Sequence, residues 1–556
     1  MELILLLGLG AFGAIASWAG LARGGRAGQA GAILGGLSLL GIVLVSFTLT
    51  APRVGSGEIP EGVGILDGRL IPNNYMRLVV ALWALDAAIV VFVAWLAGGL
   101  AGLRGLLPAM LASIVGGAVA FSATNLTLGA AAAGATGLVA LIVLLAWRDP
   151  SGIPAAAREL RTTVLTTVLL LGAIVVGPLG AGLAIRVAAG DGGLGDTAAG
   201  AEAAAALVGL LTLVVALAVA IRGGAVPFHL RVPQLADVAP PMALPLLLAW
   251  VPVPLAVVGL ATVDLLLAPL ALPLGGEQLI IIAVAIVTLI GASLAALLQD
   301  DLRHTTGYLV VAEGAFVLLG FAALTPEAWG PARTWLVTLA ATKTALATWS
   351  AVMETRFGTR HIPDLRGWIR RSPLLGAALL VTTVATFGLP GWAAFEARNA
   401  LATLTAEPPL DVVLVVLGFL TLPTYLRLLG VGTGSPTSRV DRAAPDRIVR
   451  RRIEALPVEV EGAVPADSRV PTGASSRDAH PGPATRVVHR SRRMASKGAT
   501  SIGRRFVRAL RRDATELAGA AILTLAVLAA LASWGVLDIT GAASEPAPIT
   551  TNAASD

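Results

Sequence analysis

The sequence predicts an all-α polytopic membrane protein, and three observations carry that reading. Hydrophobic residues fill 56% of the 556 positions and charged residues only 13%, about half the charged share of a soluble domain, and the mean hydropathy is +0.82. Apolar runs close to the ~20 residues that cross a bilayer recur along most of the chain. The 63 Gly and 33 Pro would point to disorder in water, whereas in lipid they fit close helix packing and interrupted helices. So much chain committed to lipid leaves little room for a nucleotide-binding fold or a large extramembrane catalytic domain. The absence of cysteine excludes disulfides, thiolate metal sites and iron–sulfur clusters. No cofactor is called for, and any redox chemistry would belong to a partner.

Windows of about 19 residues on a transfer scale give about fourteen spans, near 1–22, 29–50, 75–99, 105–122, 126–147, 163–187, 202–222, 240–268, 276–298, 306–325, 334–354, 373–400, 408–429 and 514–537. The first begins Met1-Glu2 without a basic leader and is followed by Arg23 and Arg26, so it reads as a helix rather than a cleaved signal. Basic residues are retained on the cytoplasmic side. Loops after odd-numbered spans carry Arg23, Arg26, Arg104, Arg148, Arg158, Arg161, Arg231, Arg303 and the five arginines from Arg356 to Arg371; the opposite loops carry chiefly Arg53, Arg69, Arg186 and Arg333. Both termini are therefore expected outside the plasma membrane.

The expected organisation is a membrane bundle over 1–430, a basic cytoplasmic loop over 431–502, an amphipathic juxtamembrane helix over 503–513, the final span over 514–537 and a flexible tail over 538–556. The loop is rich in Pro, Ser, Gly and Arg and reads as disordered from about 435 to 500. The 503–513 segment gathers Phe506, Val507 and Leu510 among five arginines. It either grips anionic headgroups or a partner subunit, or is an ordinary positive-inside flank. Because it abuts a membrane helix, the net charge of +6 speaks for lipid and not for nucleic acid.

The most specific segment is Arg222-Gly223-Gly224-Ala225-Val226-Pro227-Phe228-His229-Leu230-Arg231-Val232-Pro233, followed by Ala239-Pro240-Pro241. Its glycines and prolines break the helical ladder after span seven, and backbone groups freed at such a break need protein or water partners. By composition alone it is equally a loop with two prolines. The residue order resembles the Lys-x-x-x-Val-Pro-Phe-His-x-Trp-x-Pro signature of the antiporter-like membrane subunits shared by respiratory complex I, which is an NADH:quinone oxidoreductase, by membrane-bound hydrogenases and by Mrp-type cation/proton antiporters. Gln299-Asp300-Asp301-Leu302-Arg303-His304-Thr305-Thr306-Gly307-Tyr308 is similar to the start of that family's tenth helix. So are Gly358-Thr359-Arg360, Asp364-Leu365-Arg366-Gly367, Ser372-Pro373-Leu374 and Gly388-Leu389-Pro390-Gly391-Trp392 through Arg398 to its later blocks. The motif-bearing part is 75–430.

The resemblance implies two inverted five-helix repeats, each with a broken helix: span seven at Pro227 and span twelve at Gly388 and Pro390. It places Arg222 and Arg398 at the family's broken-helix lysines, Glu313 where many members have a histidine, and Lys343 at the eleventh-helix lysine of some branches. His229 sits at a motif position near a helix end, and Glu396 is a neighbour of Arg398. An ionisable group at mid-membrane costs several kcal/mol and needs a partner, water or a function. Lys343 stands out because the chain has one other lysine, Lys497; the competing reading is a lysine snorkelling from a helix end. Asp86 reads best as the partner of an arginine.

Two expected relay members are missing: the span-five glutamate falls at about Gly134 and the span-eight lysine near Pro252. Lysine gives up its proton when desolvated, while arginine, the far stronger base, keeps its charge. The expected function is proton or cation translocation in a respiratory NADH–quinone oxidoreductase or Mrp-type complex. Its partners would be lipid and other membrane subunits, with quinone reached only through those subunits. The alternatives are a docking subunit that has lost the relay and a membrane subunit of an inorganic-carbon-accumulating complex.

Overall fold

The computed structural model describes residues 2–49, 62–65, 68–146, 152–189, 198–266, 275–323, 325–436 and 516–545. The loop expected over 431–502 and the amphipathic helix expected over 503–513 lie outside these residues from 437 onward, and the tail from 546.

In chain order the helices are α1 (Glu2–Arg23), α2 (Gly25–Thr48), α3 (Asn74–Leu103), α4 (Leu106–Ser122), α5 (Leu126–Ala146), α6 (Gly152–Ala189), α7 (Ala198–Gly223), α8 (Arg231–Val238), α9 (Val253–Leu266), α10 (Gly275–Leu298), α11 (Leu302–Ala323), α12 (Trp329–Phe357), α13 (Trp368–Arg371), α14 (Pro373–Phe387), α15 (Ala393–Thr405), α16 (Leu410–Leu417) and α17 (Leu422–Thr433). They are followed by α18 (Glu516–Trp534) and α19 (Ile539–Ser544). Among the described residues twelve helices are long and apolar enough to cross a membrane, and Leu106–Ser122 and Pro373–Phe387 are shorter apolar helices. The purely helical expectation needs one correction: β1 (Val63–Ile65) and β2 (Gly68–Leu70) form a small antiparallel hairpin between α2 and α3.

Burial is graded across the bundle. The segments 241–265, 302–323 and 326–357 are 94% buried over their most apolar stretches, whereas α1 and α2 are buried over only about a third of theirs. The rest of α1 and α2 exposes Phe12, Ile15, Trp18, Leu37 and Leu44, as a lipid-facing surface should. The interior is jointed by aromatic contacts such as the Trp83–Trp250 stack, with ring centroids 4.9 Å apart.

Both expected interruptions exist. After α7 the backbone leaves helical geometry at Gly224, whose φ of +75° only glycine adopts cheaply, and regains it in the short α8. The freed Val226 N–H donates to Thr288 Oγ1 at 2.9 Å. Span twelve stops at Phe387, turns through Gly388 (φ +64°) and Gly391 (φ +87°), and restarts as α15. Two further irregularities were not expected. Span eight contains a π-helical turn, Pro245–Trp250, where prolines 245, 252 and 254 remove donors from the ladder. Span thirteen is divided into α16 and α17 by a turn at Gly418.

A last difference matters for the site. Span six was expected to begin near 163, but α6 begins at Gly152. Arg158, Glu159 and Arg161 lowered the hydropathy of the window, yet Glu159 is turned inward, 3% exposed, where ion pairing makes a helix the better solution for this stretch.

Candidate functional site

Two buried charge clusters sit at the two interruptions. The first is built around Glu159 of α6. Its Oε2 lies 3.3 Å from Nη1 of Arg222, in the last turn of α7, and 2.6 Å from Nη2 of Arg231, the first residue of α8. Arg222 also donates to Thr163 Oγ1 at 3.1 Å, one turn along α6 from Glu159. Arg231 donates to the Arg222 carbonyl at 2.7 Å. That carbonyl is one of the groups orphaned where α7 ends, and a cation there also meets the negative end of the helix dipole.

Glu159 is the residue that hydropathy reasoning missed. The family pattern puts the carboxylate of this pair on span five, near Gly134. Here α5 has glycines at 134 and 137 and α6 packs into the groove they leave. A methyl group at Gly134 would stand 2.6 Å from Thr167 Oγ1, and one at Gly137 would stand 2.7 Å from a Thr163 methyl and 3.2 Å from Arg222 Nη2. The carboxylate is thus supplied by the neighbouring helix. The spacing of Glu159, Thr163 and Thr166/Thr167 along one helical face was the available signal.

The second cluster joins three helices. Lys343 Nζ of α12, wholly buried, is 2.5 Å from Glu313 Oε2 of α11 and donates to the Tyr425 hydroxyl of α17 at 2.6 Å. The hydroxyl donates onward to Glu313 Oε1 at 3.1 Å, closing a ring of three polar groups. Tyr425 was not singled out from sequence, although it is one of only three tyrosines. Arg398 of α15 does not join the ring. It donates to the carbonyl of Phe387, the last residue of α14, at 2.9 Å, and its guanidinium lies 4.5 Å from the centroid of the Phe419 ring. Each interruption therefore has an arginine on the orphaned carbonyl of its first half: Arg231 at one, Arg398 at the other.

The remaining expected residues fall outside these clusters. Glu396 is exposed and accepts from the Gly391 N–H at 2.9 Å, capping the start of α15 rather than pairing with Arg398. His229 is half-buried in the first interruption, and its Nδ1 has no hydrogen-bond partner among the described residues. Asp86 is buried in α3, and its Oδ2 has no hydrogen-bond partner among the described residues. Pro227, Gly388 and Pro390 lie in the breaks themselves. Arg303 is a latch. It clasps Glu354 through two bonds of 2.6 and 2.9 Å and donates to the carbonyls of Ala236, Asp237 and Ala239 at the end of α8.

A cavity of about 60 Å³ touches both clusters; its lining includes Arg222 and Arg231 of the first, Lys343 of the second, and Pro252. At ~10–15 Å³ for each water position, it has room for a few molecules. The rest of its wall is apolar, including Val219, Leu248, Val311 and Leu339. A second, open cleft of about 390 Å³ reaches Glu159 and Arg231 from the protein surface beside Arg158, Arg161 and Gln234.

Residues 123–421, more than half the chain, match the NADH:quinone oxidoreductase/Mrp antiporter transmembrane family. The chain is 30% identical over 223 residues to NADH-quinone oxidoreductase subunit N of Halorhodospira halophila, covering 38% of this chain and 44% of that protein. It is 27% identical over 296 residues to the subunit N of Cupriavidus taiwanensis, covering 50% and 59%. It thus spans less than two thirds of the length of these relatives. Its fold is shared with a chain of the Mrp complex from Dietzia, at a TM-score of 0.60 and 18% identity over 82% of this chain and 49% of that one. The same holds for a chain of respiratory complex I from Thermus thermophilus, at 0.55 and 19% over 82% and 98%. Helix interruptions, buried charges and family match converge: the chain belongs to the NADH:quinone oxidoreductase/Mrp antiporter family, as an antiporter-like membrane subunit.

Proposed function

We propose that the chain moves protons across the plasma membrane as part of a multisubunit respiratory complex, loading them at Glu159 and passing them to the Lys343–Glu313–Tyr425 ring. The observation that carries this reading is the cavity whose wall reaches from Arg222 to Lys343, since it puts both charged clusters on one space. In a glutamate–lysine pair either member can titrate; in Glu159–Arg222 only the carboxylate can, because arginine keeps its charge. A proton arriving through the surface cleft neutralises Glu159 and opens its ion pairs. The charges of Arg222 and Arg231, no longer compensated, then repel positive charge across the low-dielectric cavity, favouring release of the ring's proton to the opposite side of the membrane. The Glu159 proton then moves through the cavity to reload the ring, and Glu159, again a carboxylate, re-forms its ion pairs. Water entering the cavity completes the connection that a span-eight lysine would otherwise make at Pro252. The two interrupted helices are read as the centres of inverted repeats, in a bundle of fourteen crossings with both termini outside.

The double substitution Lys343→Met/Glu313→Gln tests this in the reconstituted complex. Both buried charges disappear together, so the complex should assemble, and proton uptake should fall to the background of empty vesicles. Full uptake by the assembled variant would refute the proposal. A docking role without transport is the second reading, favoured by arginine at 222 and 398 and by Pro252. It expects the wild-type complex itself to gain nothing in proton uptake from this chain's titratable residues.

A further inference from the structure

The open cleft beside Glu159 has a composition that the proton pathway does not explain. Three guanidinium groups, Arg158, Arg161 and Arg231, line it against a single carboxylate, and that carboxylate is already shared between Arg222 and Arg231. Arg158 and Arg161 are exposed and have no ion pair among the described residues. The cleft therefore carries surplus positive charge. Its other wall is apolar: Leu165, Phe228, Leu230 and Pro227, with Leu230 50% exposed.

The position matters as much as the charge. Beyond Arg161, α6 continues as a lipid-facing stripe of exposed Val164, Leu165, Val168 and Val175. Helix α8, whose first residue Arg231 lines the cleft, carries at its other end the charged layer of Arg303, Arg360, Asp237 and Asp301. The cleft thus lies where the exposed apolar stripe of α6 meets the charged helix α8. A solute that fills it must present negative charge to the arginines and hydrocarbon to Leu165 and Leu230 at once.

We infer that this cleft binds an anionic phospholipid, its phosphodiester headgroup between Arg158 and Arg161 and the first carbons of its acyl chains along Leu165 and Val168. A free phosphate shares the headgroup chemistry but uses only half of the site. The lipid would stand at the mouth of the route to Glu159 and hold surplus arginine charge away from that carboxylate. The inference does not depend on proton transfer through Glu159, since its readout is binding alone.

Short-chain phosphatidylglycerol, short-chain phosphatidylcholine and inorganic phosphate are titrated separately onto the full chain in neutral detergent. Phosphatidylglycerol should bind the wild type in preference to the other two. A basic residue at a membrane surface contributes roughly fivefold to such binding, so Arg158→Gln/Arg161→Gln should weaken it about 25-fold. Both arginines are exposed, so the variant should fold, and Arg158→Lys/Arg161→Lys should retain binding within a few fold. Three results would each overturn the inference: phosphate binding as tightly as phosphatidylglycerol, unchanged phosphatidylglycerol affinity in the Gln variant, or an equal loss of phosphatidylcholine binding.

Discussion

The two interruptions use one backbone device and two different chemistries. At each, a helix stops in mid-span, an arginine caps the orphaned carbonyl of the first half, and a buried carboxylate lies close by. At the first, Glu159 is held between two arginines, so the cations are fixed and only the carboxylate can change its charge. At the second, Glu313, Lys343 and Tyr425 form a ring in which every member can gain or lose a proton. The difference teaches that the motif positions of a broken helix specify where a cation sits and not which group titrates. With arginine at both positions where the family resemblance expects lysine, the proposed proton chemistry falls to the partners: Glu159 of the adjacent helix, paired with Arg222 and Arg231, and Lys343 of α12, paired with Glu313.

That contrast can be broken experimentally. The largest effect is expected from Lys343→Met alone, which strands the buried Glu313 charge and should cost about 3–5 kcal/mol. Adding Glu313→Gln should restore most of it, as read from thermal unfolding of the full chain in detergent. Equal losses in the single and double variants would show that the ring does not act as a coupled pair. Tyr425→Phe removes two hydrogen bonds but no charge. It should cost about 1–3 kcal/mol and slow proton uptake without abolishing it; unchanged uptake would take the hydroxyl out of the path. Glu396→Gln keeps an acceptor for the Gly391 N–H, so stability should move by less than about 0.5 kcal/mol and uptake should be unaltered. A large loss of uptake there would bring Glu396 back into the pathway that its exposed position argues against.

Much of this arrangement was legible in the sequence, for identifiable reasons. Hydropathy marks spans because lipid leaves no alternative for backbone polar groups, and glycine–proline clusters mark breaks because only they interrupt the ladder cheaply. Lys343 was visible because it is one of two lysines and falls in an apolar span where a charge is costly, and Glu313 because the family resemblance put it where many members have a histidine. Glu159 was hidden for the opposite reason: flanked by Arg158 and Arg161, it looked like a solvated loop, and averaging over a window cannot tell a charge facing water from one turned inward. The swap of the carboxylate from α5 to α6 depends on Gly134 and Gly137 admitting a neighbour, a tertiary fact that no single helix records. The capping role of Glu396 was equally invisible, since its partner is a backbone amide.

Proton uptake by the reconstituted complex, compared between Glu159→Gln and Arg222→Lys, tests the assignment of the first cluster most directly. If Glu159 is the loading group and Arg222 only its fixed counter-charge, Glu159→Gln abolishes uptake in assembled complex while Arg222→Lys keeps it within several fold. Uptake at the wild-type rate by Glu159→Gln would contradict the account.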